Sequence, residues 1–324
     1  MLAILLAAAQ AAPAAPATKG PSEIVAAAPA SEWVAIAPDD LLVMELAPDA
    51  TARPRRVVIQ LMPPPFSQGW VANIHTLAKA RWWNGTSVNR VQDNYVVQWG
   101  DASEKKPLPP GLKKVPESGY EQSRSPDLRE PFERARRSDL QAVEAALKTA
   151  SGQQRVDAIT STLPKDPYAR EARHWRGWQI ATDNENYWPV HCYGSVGVGR
   201  NLSPDTGTGA ELYAVIGHAP RHLDRNIAVV GRVVEGIEHL SSLPRGTAPL
   251  GFYETAAERT PICSVRLASD LPEAERPRFQ YLSTEGASFA AYADARANRR
   301  DAFFIRPAGG ADICNVPVPV RRAS

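Results

Sequence analysis

The 324-residue sequence has little cysteine, almost no net charge and no long apolar run. Its three cysteines, Cys192, Cys263 and Cys314, show no C-x-x-C spacing, which removes the usual zinc and thioredoxin-type motifs. Lysine and arginine number 37 against 35 aspartate and glutamate, a net +2. A dedicated nucleic-acid binder would show a basic excess and an acidic disordered chain the opposite, so neither is expected. No stretch approaches the roughly 18–20 consecutive apolar residues of a membrane span. G-x-S-x-G, H-E-x-x-H, P-loop and G-x-G-x-x-G patterns are absent, so the common hydrolase, zincin and nucleotide readings have no support, and no cofactor is expected. His218 and His222 have the spacing of a helical metal pair, but Pro220 between them breaks such a helix, so no metal site is expected.

What is present is a sequence 44% apolar, enough for a sizeable core, and rich in proline, 29 residues, which points to long non-regular connections. Met1–Ala9 is apolar and is followed by the small-x-small sites Ala12-Pro13-Ala14 and Ala15-Pro16-Ala17. Residues 1–17 are expected to be an export signal and 18–37 a flexible linker. Export to the periplasm would place the cysteines in an oxidising compartment, with one disulfide and one thiol left over. Three pairings are open. Cys263–Cys314 is favoured because both lie in strand-like tracts, PICSVRL and DICNVPV.

Short alternating runs predict strands at Leu41–Leu46, Arg56–Leu61, Val88–Val91, Tyr95–Trp99, Ser195–Arg200, Glu211–Ile216, Ile227–Val234 and Pro261–Leu267. Helical spacing appears over Gly69–Trp83, through Val71, Ile74, Leu77, Ala78 and Trp82, and in a short helix at Ile237–Leu243. Evenly spaced short strands suggest a closed barrel, which leaves no exposed edge. Between the strand groups the pattern turns helical: a capping box at Ser138 and Gln141 opens one helix, Val156, Ile159 and Leu163 mark a second, and Tyr168, Ala172, Trp175 and Gln179 a third. Trp175, Trp178 and Trp188 are expected to form the seam by which this insertion packs on the barrel. In the last tract Phe279–Leu282 and Phe303–Arg306 read as strands and Ser288–Arg300 as a helix.

Val88–Asp101 reads VNRVQDNYVVQWGD. It resembles the F-H-R-V-x-x-G-F-M/V-x-Q-G-G-D signature of the cyclophilin family of peptidyl-prolyl cis-trans isomerases. Val71-Ala72-Asn73, Trp82–Thr86, Gly207–Tyr213, His222-Leu223-Asp224 and Val230–Gly236 resemble further blocks of that family, in the family's order. The resemblance implies a mainly β fold: a closed eight-stranded antiparallel barrel capped by two helices, over 38–124 and 181–270. A helical insertion at 125–180 and a small α/β extension at 271–324 are additions to it.

An X–Pro bond isomerises slowly because amide resonance must be broken. An enzyme needs only an apolar pocket for the ring and a donor near the prolyl nitrogen of the twisted amide. By resemblance Arg90 is the catalytic donor and Gln98 orients substrate and arginine. Tyr95, Val96, Tyr213 and Leu223 would hold the proline, with Glu211 and His222 as further substrate contacts. Asn89, Glu211, Arg200, His222 and Ile227 depart from the family's usual residues, and Glu211 could pair with Arg90 or Arg200. The expectation is an isomerase acting on X–Pro segments of unfolded or exported proteins. The competing reading is a catalytically weak, cyclophilin-like proline-binding module or chaperone of the cell envelope.

Overall fold

The computed structural model describes residues 19–156, 166–301 and 303–323. Its first strands are β1 (Trp33–Ala35), β2 (Leu41–Leu46), β3 (Arg55–Leu61), β4 (Ser87–Val91) and β5 (Val96–Gly100). β6 (Gln122–Ser123), β7 (Glu171–Trp175), β8 (Trp178–Thr182) and β9 (Asn186–Pro189) follow. The last are β10 (Ser195–Val198), β11 (Leu212–Val215), β12 (Val229–Glu235), β13 (Thr260–Leu267), β14 (Phe279–Leu282) and β15 (Val320–Arg322).

Eight strands close an antiparallel barrel in the order β10–β11–β5–β4–β13–β2–β3–β12, with β12 returning to β10. They are the eight strands expected from the alternation. Successive side chains on a strand point to opposite faces. Leu42, Met44, Val57, Ile59, Val97 and Trp99 therefore fill the interior, while Leu41, Val43 and Val58 lie under a second apolar layer with Ile36, Leu271 and Phe279. Helix α2 (Gln68–Lys79) buries Trp70, Val71, Ile74, Leu77 and Ala78 in the same core as the barrel. Trp82 sits in the turn beyond the helix, where its Nε1 donates to the Pro107 carbonyl at 2.9 Å. The short helix Glu238–Ser241 is the second cap.

The insertion is not the helical unit expected. Helix α3 runs from Pro126 to Leu147, capped by Ser125, whose side chain accepts from the Leu128 N–H, so Ser138 lies mid-helix instead of at its start. The second expected helix falls largely outside the described residues. The third is a β-hairpin: β7 and β8 pair Trp175 with Trp178 across Arg176-Gly177, both with positive φ, as a two-residue hairpin turn requires. β6, β9, β8 and β7 form one small sheet. Trp175 and Trp178 do join the barrel's core, and Trp175 meets Phe66 edge-on at 5.6 Å. Trp188 instead belongs to a smaller cluster with Val190 and Cys192. Arg232 on β12 ties the hairpin down: it donates to the Gly177 carbonyl at 2.7 Å and stacks on Trp178 at 4.5 Å.

The stretch expected to be a linker, 18–37, is structured where it is described. Helix α1 (Pro21–Ala26) and β1 pack with the C-terminal tract, through Trp33, Leu282, Phe289, Tyr292 and Val318. β1 pairs with β14, and β14 with β15. The helix expected at Ser288–Arg300 spans Ala287–Ala297, and no strand forms among the described residues of Phe303–Arg306. The expected export signal, 1–17, lies outside the described residues.

The disulfide joins Cys192 to Cys314 across 122 residues, in place of the Cys263–Cys314 pair favoured from sequence. Cys263 lies on an outward, exposed position of β13 and is free, while Cys314 sits in a 3-10 turn, Ile313–Asn315, not a strand. Register and burial decide such a pairing, and strand propensity carries neither.

Trp175 is 1% exposed in the core shared by barrel and insertion. Trp175→Ala is expected to cost about 3–5 kcal/mol. Denaturant unfolding should keep a single transition; separation into two would show the inserted sheet to be independently stable.

Candidate active site

The site is a row of residues across neighbouring barrel strands. β4 pairs with β5 through Val88–Trp99 and then Arg90–Gln98, the register shifting at Asn89. This β-bulge turns Arg90 to the outer face while Val88 and Val91 stay in the core. Gln98 pairs with Tyr213 on β11, and Tyr213 with Gly197 on β10. Arg90 and Gln98 on neighbouring strands and the distant Tyr213 thus stand side by side, Gln98 and Tyr213 sent outward by period-2 alternation and Arg90 by the bulge.

Beside this row Val96, Tyr213 and Val215 form a small apolar cluster, and Tyr95, Leu223 and Ile227 pack on it. The cluster floors a groove of about 700 Å³ that also exposes Arg90, Gln98, Glu211 and Arg200. A prolyl ring seated there would bury three methylenes, worth roughly 2 kcal/mol at about 0.8 kcal/mol each. Tyr213 is 4% exposed, and burial pushes its hydroxyl well above the usual tyrosine range, so it stays neutral. His222 does not line the groove. Its ring stacks behind Tyr95, 6.2 Å between centroids, and faces a second cleft with Tyr168, Trp188 and Arg225.

Arg90 is held from several sides. Its Nη1 donates to Gln98 Oε1 at 3.2 Å, its Nη2 to Gln92 Oε1 and its Nε to the Leu250 carbonyl at 2.8 Å. The guanidinium lies between the rings of Tyr95 and Phe252, 5.8 and 5.4 Å from their centroids. Burial pushes it down from its ordinary value, yet a guanidinium remains charged at neutral pH. Its five N–H donors are thus partly engaged, and two are left over for a ligand. Gln92, Leu250 and Phe252 were not foreseen: Leu250, 160 residues away, acts through its backbone, and Phe252 bridges to Arg90 from the same loop, for which local pattern carries no signal.

Glu211 pairs with neither arginine. Arg200 donates instead to the carbonyls of Asn226 and Asn201, at 3.0 and 2.7 Å. The Glu211 carboxyl lies over Gly100, where a Cβ would stand 1.8 Å from its oxygen, and takes a long 3.5 Å hydrogen bond from Asn89 Nδ2. Among the described residues no cation pairs with it within salt-bridge distance. Burial raises its carboxyl above the usual value, against hydrogen bonds from Asn89 and Gln98 that lower it. No group of three or more His, Cys, Asp or Glu among the described residues is placed to hold a metal ion.

A family model described as cyclophilin type peptidyl-prolyl cis-trans isomerase matches residues 57–266. A search of curated proteins finds no match. Among solved structures the chain is similar to that of the cyclophilin AquaCyp293 from Hirschia baltica, at 19% identity and TM-score 0.59, covering 90% of this chain and 93% of that chain. A looser superposition, TM-score 0.35 at 9% identity, is found with a cyclophilin type peptidyl-prolyl cis-trans isomerase of Cryptosporidium parvum in the presence of the dipeptide Ala-Pro, covering 69% of this chain and 98% of that chain.

The sign of the Glu211 effect on stability follows from its raised value. Below its unfolded-state value of 4.5 both states are protonated. Above it the unfolded state ionises first, so stability falls with rising pH until the folded carboxyl has ionised as well. Glu211→Gln should therefore melt higher than wild type at neutral pH, with the difference vanishing as pH drops below that value. A difference independent of pH would show that the carboxyl carries no such penalty.

Proposed function

The chain belongs to the family of cyclophilin-type peptidyl-prolyl cis-trans isomerases, and on that premise we propose that it accelerates X–Pro isomerisation in exported proteins as they fold. The single observation that carries the assignment of roles is the placement of Arg90, with guanidinium donors to spare, beside an apolar cluster that opens into the groove.

The chemistry is small. As the amide twists, the prolyl nitrogen loses conjugation and becomes a better hydrogen-bond acceptor, and Arg90 donates to it. Tyr95, Val96, Tyr213 and Leu223 hold the ring while the acyl side rotates. Gln98 fixes the direction of Arg90 and offers its amide to the substrate backbone. Binding the twisted amide better than either planar isomer lowers the barrier without a covalent intermediate. Gln92, Leu250 and Phe252 restrict Arg90 to one orientation, so little reorganisation accompanies the twist. Glu211 sets the polarity of the groove beyond Gln98.

The export reading is supported by the apolar Met1–Ala9 segment with its small-x-small sites, and by the Cys192–Cys314 disulfide, a bond that persists in oxidising compartments. Its substrates would be extended X–Pro segments of unfolded proteins in the periplasm. A binding-only module is the second reading, favoured by the three acceptors that already engage Arg90.

The cis-to-trans rate of a short X–Pro peptide, measured with wild type and Arg90→Ala, tests the catalytic part. A clear acceleration that falls on the order of 100-fold in the variant, about 2.7 kcal/mol, is expected. Peptide binding without acceleration by folded wild type would establish the binding module instead. Cell fractionation with mass determination of the mature N-terminus tests export; an intact Met1 on a cytoplasmic protein would overturn it.

A further inference from the structure

Behind the groove, five buried polar side chains form one hydrogen-bonded chain. Tyr213 Oη lies 2.9 Å from His191 Nε2, and His191 Nδ1 lies 2.9 Å from Asp224 Oδ1. Arg221 Nε donates to Asp224 Oδ2 at 2.6 Å, and its Nη1 and Nη2 donate to the two oxygens of Asp166 at 2.9 and 3.1 Å. His191 is fully buried, and the Arg221, Asp224 and Asp166 side chains are 2%, 5% and 7% exposed. Asp224 thus faces Nδ1 and the Tyr213 hydroxyl faces Nε2, so both ring nitrogens of His191 are engaged.

Two walls of the groove end on this chain. Tyr213 is one terminus. Arg221 and Asp224 flank Leu223 in the 3-10 turn Arg221–Leu223 and hold the second wall. Ring packing alone does not orient Tyr213, because its partner on β10 is Gly197. A Cβ there would stand 2.3 Å from Oη, so the space that admits the hydroxyl exists only because that neighbour has no side chain. The His191 and Tyr213 rings lie nearly parallel, 10° apart, with the hydrogen bond joining their edges.

We propose that His191 is a positioning residue for the isomerisation: it fixes the Tyr213 ring through Nε2 and couples that wall to Leu223 through Asp224 and Arg221. The proline pocket is then completed by groups outside the barrel strands, His191 after β9 and Asp166 before β7. The proposal rests on the isomerase reading for its kinetic consequence but not for its effect on binding. The prolyl ring is held alike in ground and transition states, so loosening Tyr213 weakens both and appears in KM more than in kcat.

The test compares wild type, Tyr213→Phe, His191→Leu and the double variant. KM and kcat are measured with an Ala–Pro peptide, and Kd by titration of the same peptide. Each single variant is expected to raise KM and Kd about tenfold with kcat within twofold, and the double variant to lose no more than the worse single. Multiplied losses in the double variant would overturn the proposal, because His191 would then act apart from the tyrosine hydroxyl. Unchanged Kd in Tyr213→Phe, which removes one oxygen and does not depend on His191→Leu folding, would overturn it as well. If wild type binds the peptide without accelerating it, the isomerase reading fails, and the same Kd comparison still decides the role of His191.

Discussion

Closure of an eight-stranded antiparallel sheet is the constraint on which the rest of this molecule depends. A closed barrel has one interior, so each strand must give alternate residues to it and the remainder to the outside. Val97, Trp99, Leu212 and Ala214 go in; Val96, Gln98, Tyr213 and Val215 go out. The outward residues of three neighbouring strands then become adjacent, and one bulge at Asn89 brings Arg90 into the same row. No loop has to fold back to assemble Arg90, Gln98 and Tyr213. The geometry of this row inherits the rigidity of the ladder beneath it.

Material added to the barrel is joined to it by different means at each contact. The β7–β8 hairpin shares the barrel's apolar core through Trp175 and Trp178, and Arg232 pins its turn. Burial brings the Arg232 guanidinium down to about 10, a cost offset by its hydrogen bonds to Gly177 and Gln60 and by the faces of Trp178 and Tyr281. The C-terminal tract covers outward residues of β2 and β3, and the Cys192–Cys314 bond holds it beside His191. A strand such as β2 is thus buried on both faces, Leu42 and Met44 in the barrel and Leu41 and Val43 under the second apolar layer.

Charge near the groove is divided between a mobile-proton problem and a fixed one. Arg90 is surrounded by neutral acceptors, so its positive charge is directed and not cancelled. Glu211 is buried a few residues along the same row, and burial makes its carboxyl resist ionisation. Further back, Asp166, Arg221 and Asp224 form a buried ion chain in which burial would lower the arginine, while its two carboxylates more than compensate and raise it. Removing one member of such a chain leaves a buried charge unpaired, which is far costlier than never having built it.

Alternation and spacing by themselves determined the barrel strands and the helix over α2, and the resemblance to a family singled out Arg90, Gln98, Tyr95, Val96, Tyr213 and Leu223, which the structure brings to one groove. These are properties carried within short windows: a period of two, a turn, a spacing. Tertiary structure alone decided the rest. The hairpin at Glu171–Thr182 looked helical because Tyr168, Ala172, Trp175 and Gln179 recur at helical spacing, and Arg176-Gly177 with its positive φ values overrode that pattern. Cys314 met Cys192 and not Cys263 because burial and the path of the C-terminal tract set the pairing. Leu250, Phe252, His191 and Asp166 reached the site from distant segments, by backbone carbonyl, ring face or buried hydrogen bond. Such contacts depend on which surfaces close against each other in three dimensions, and a linear pattern holds no record of that.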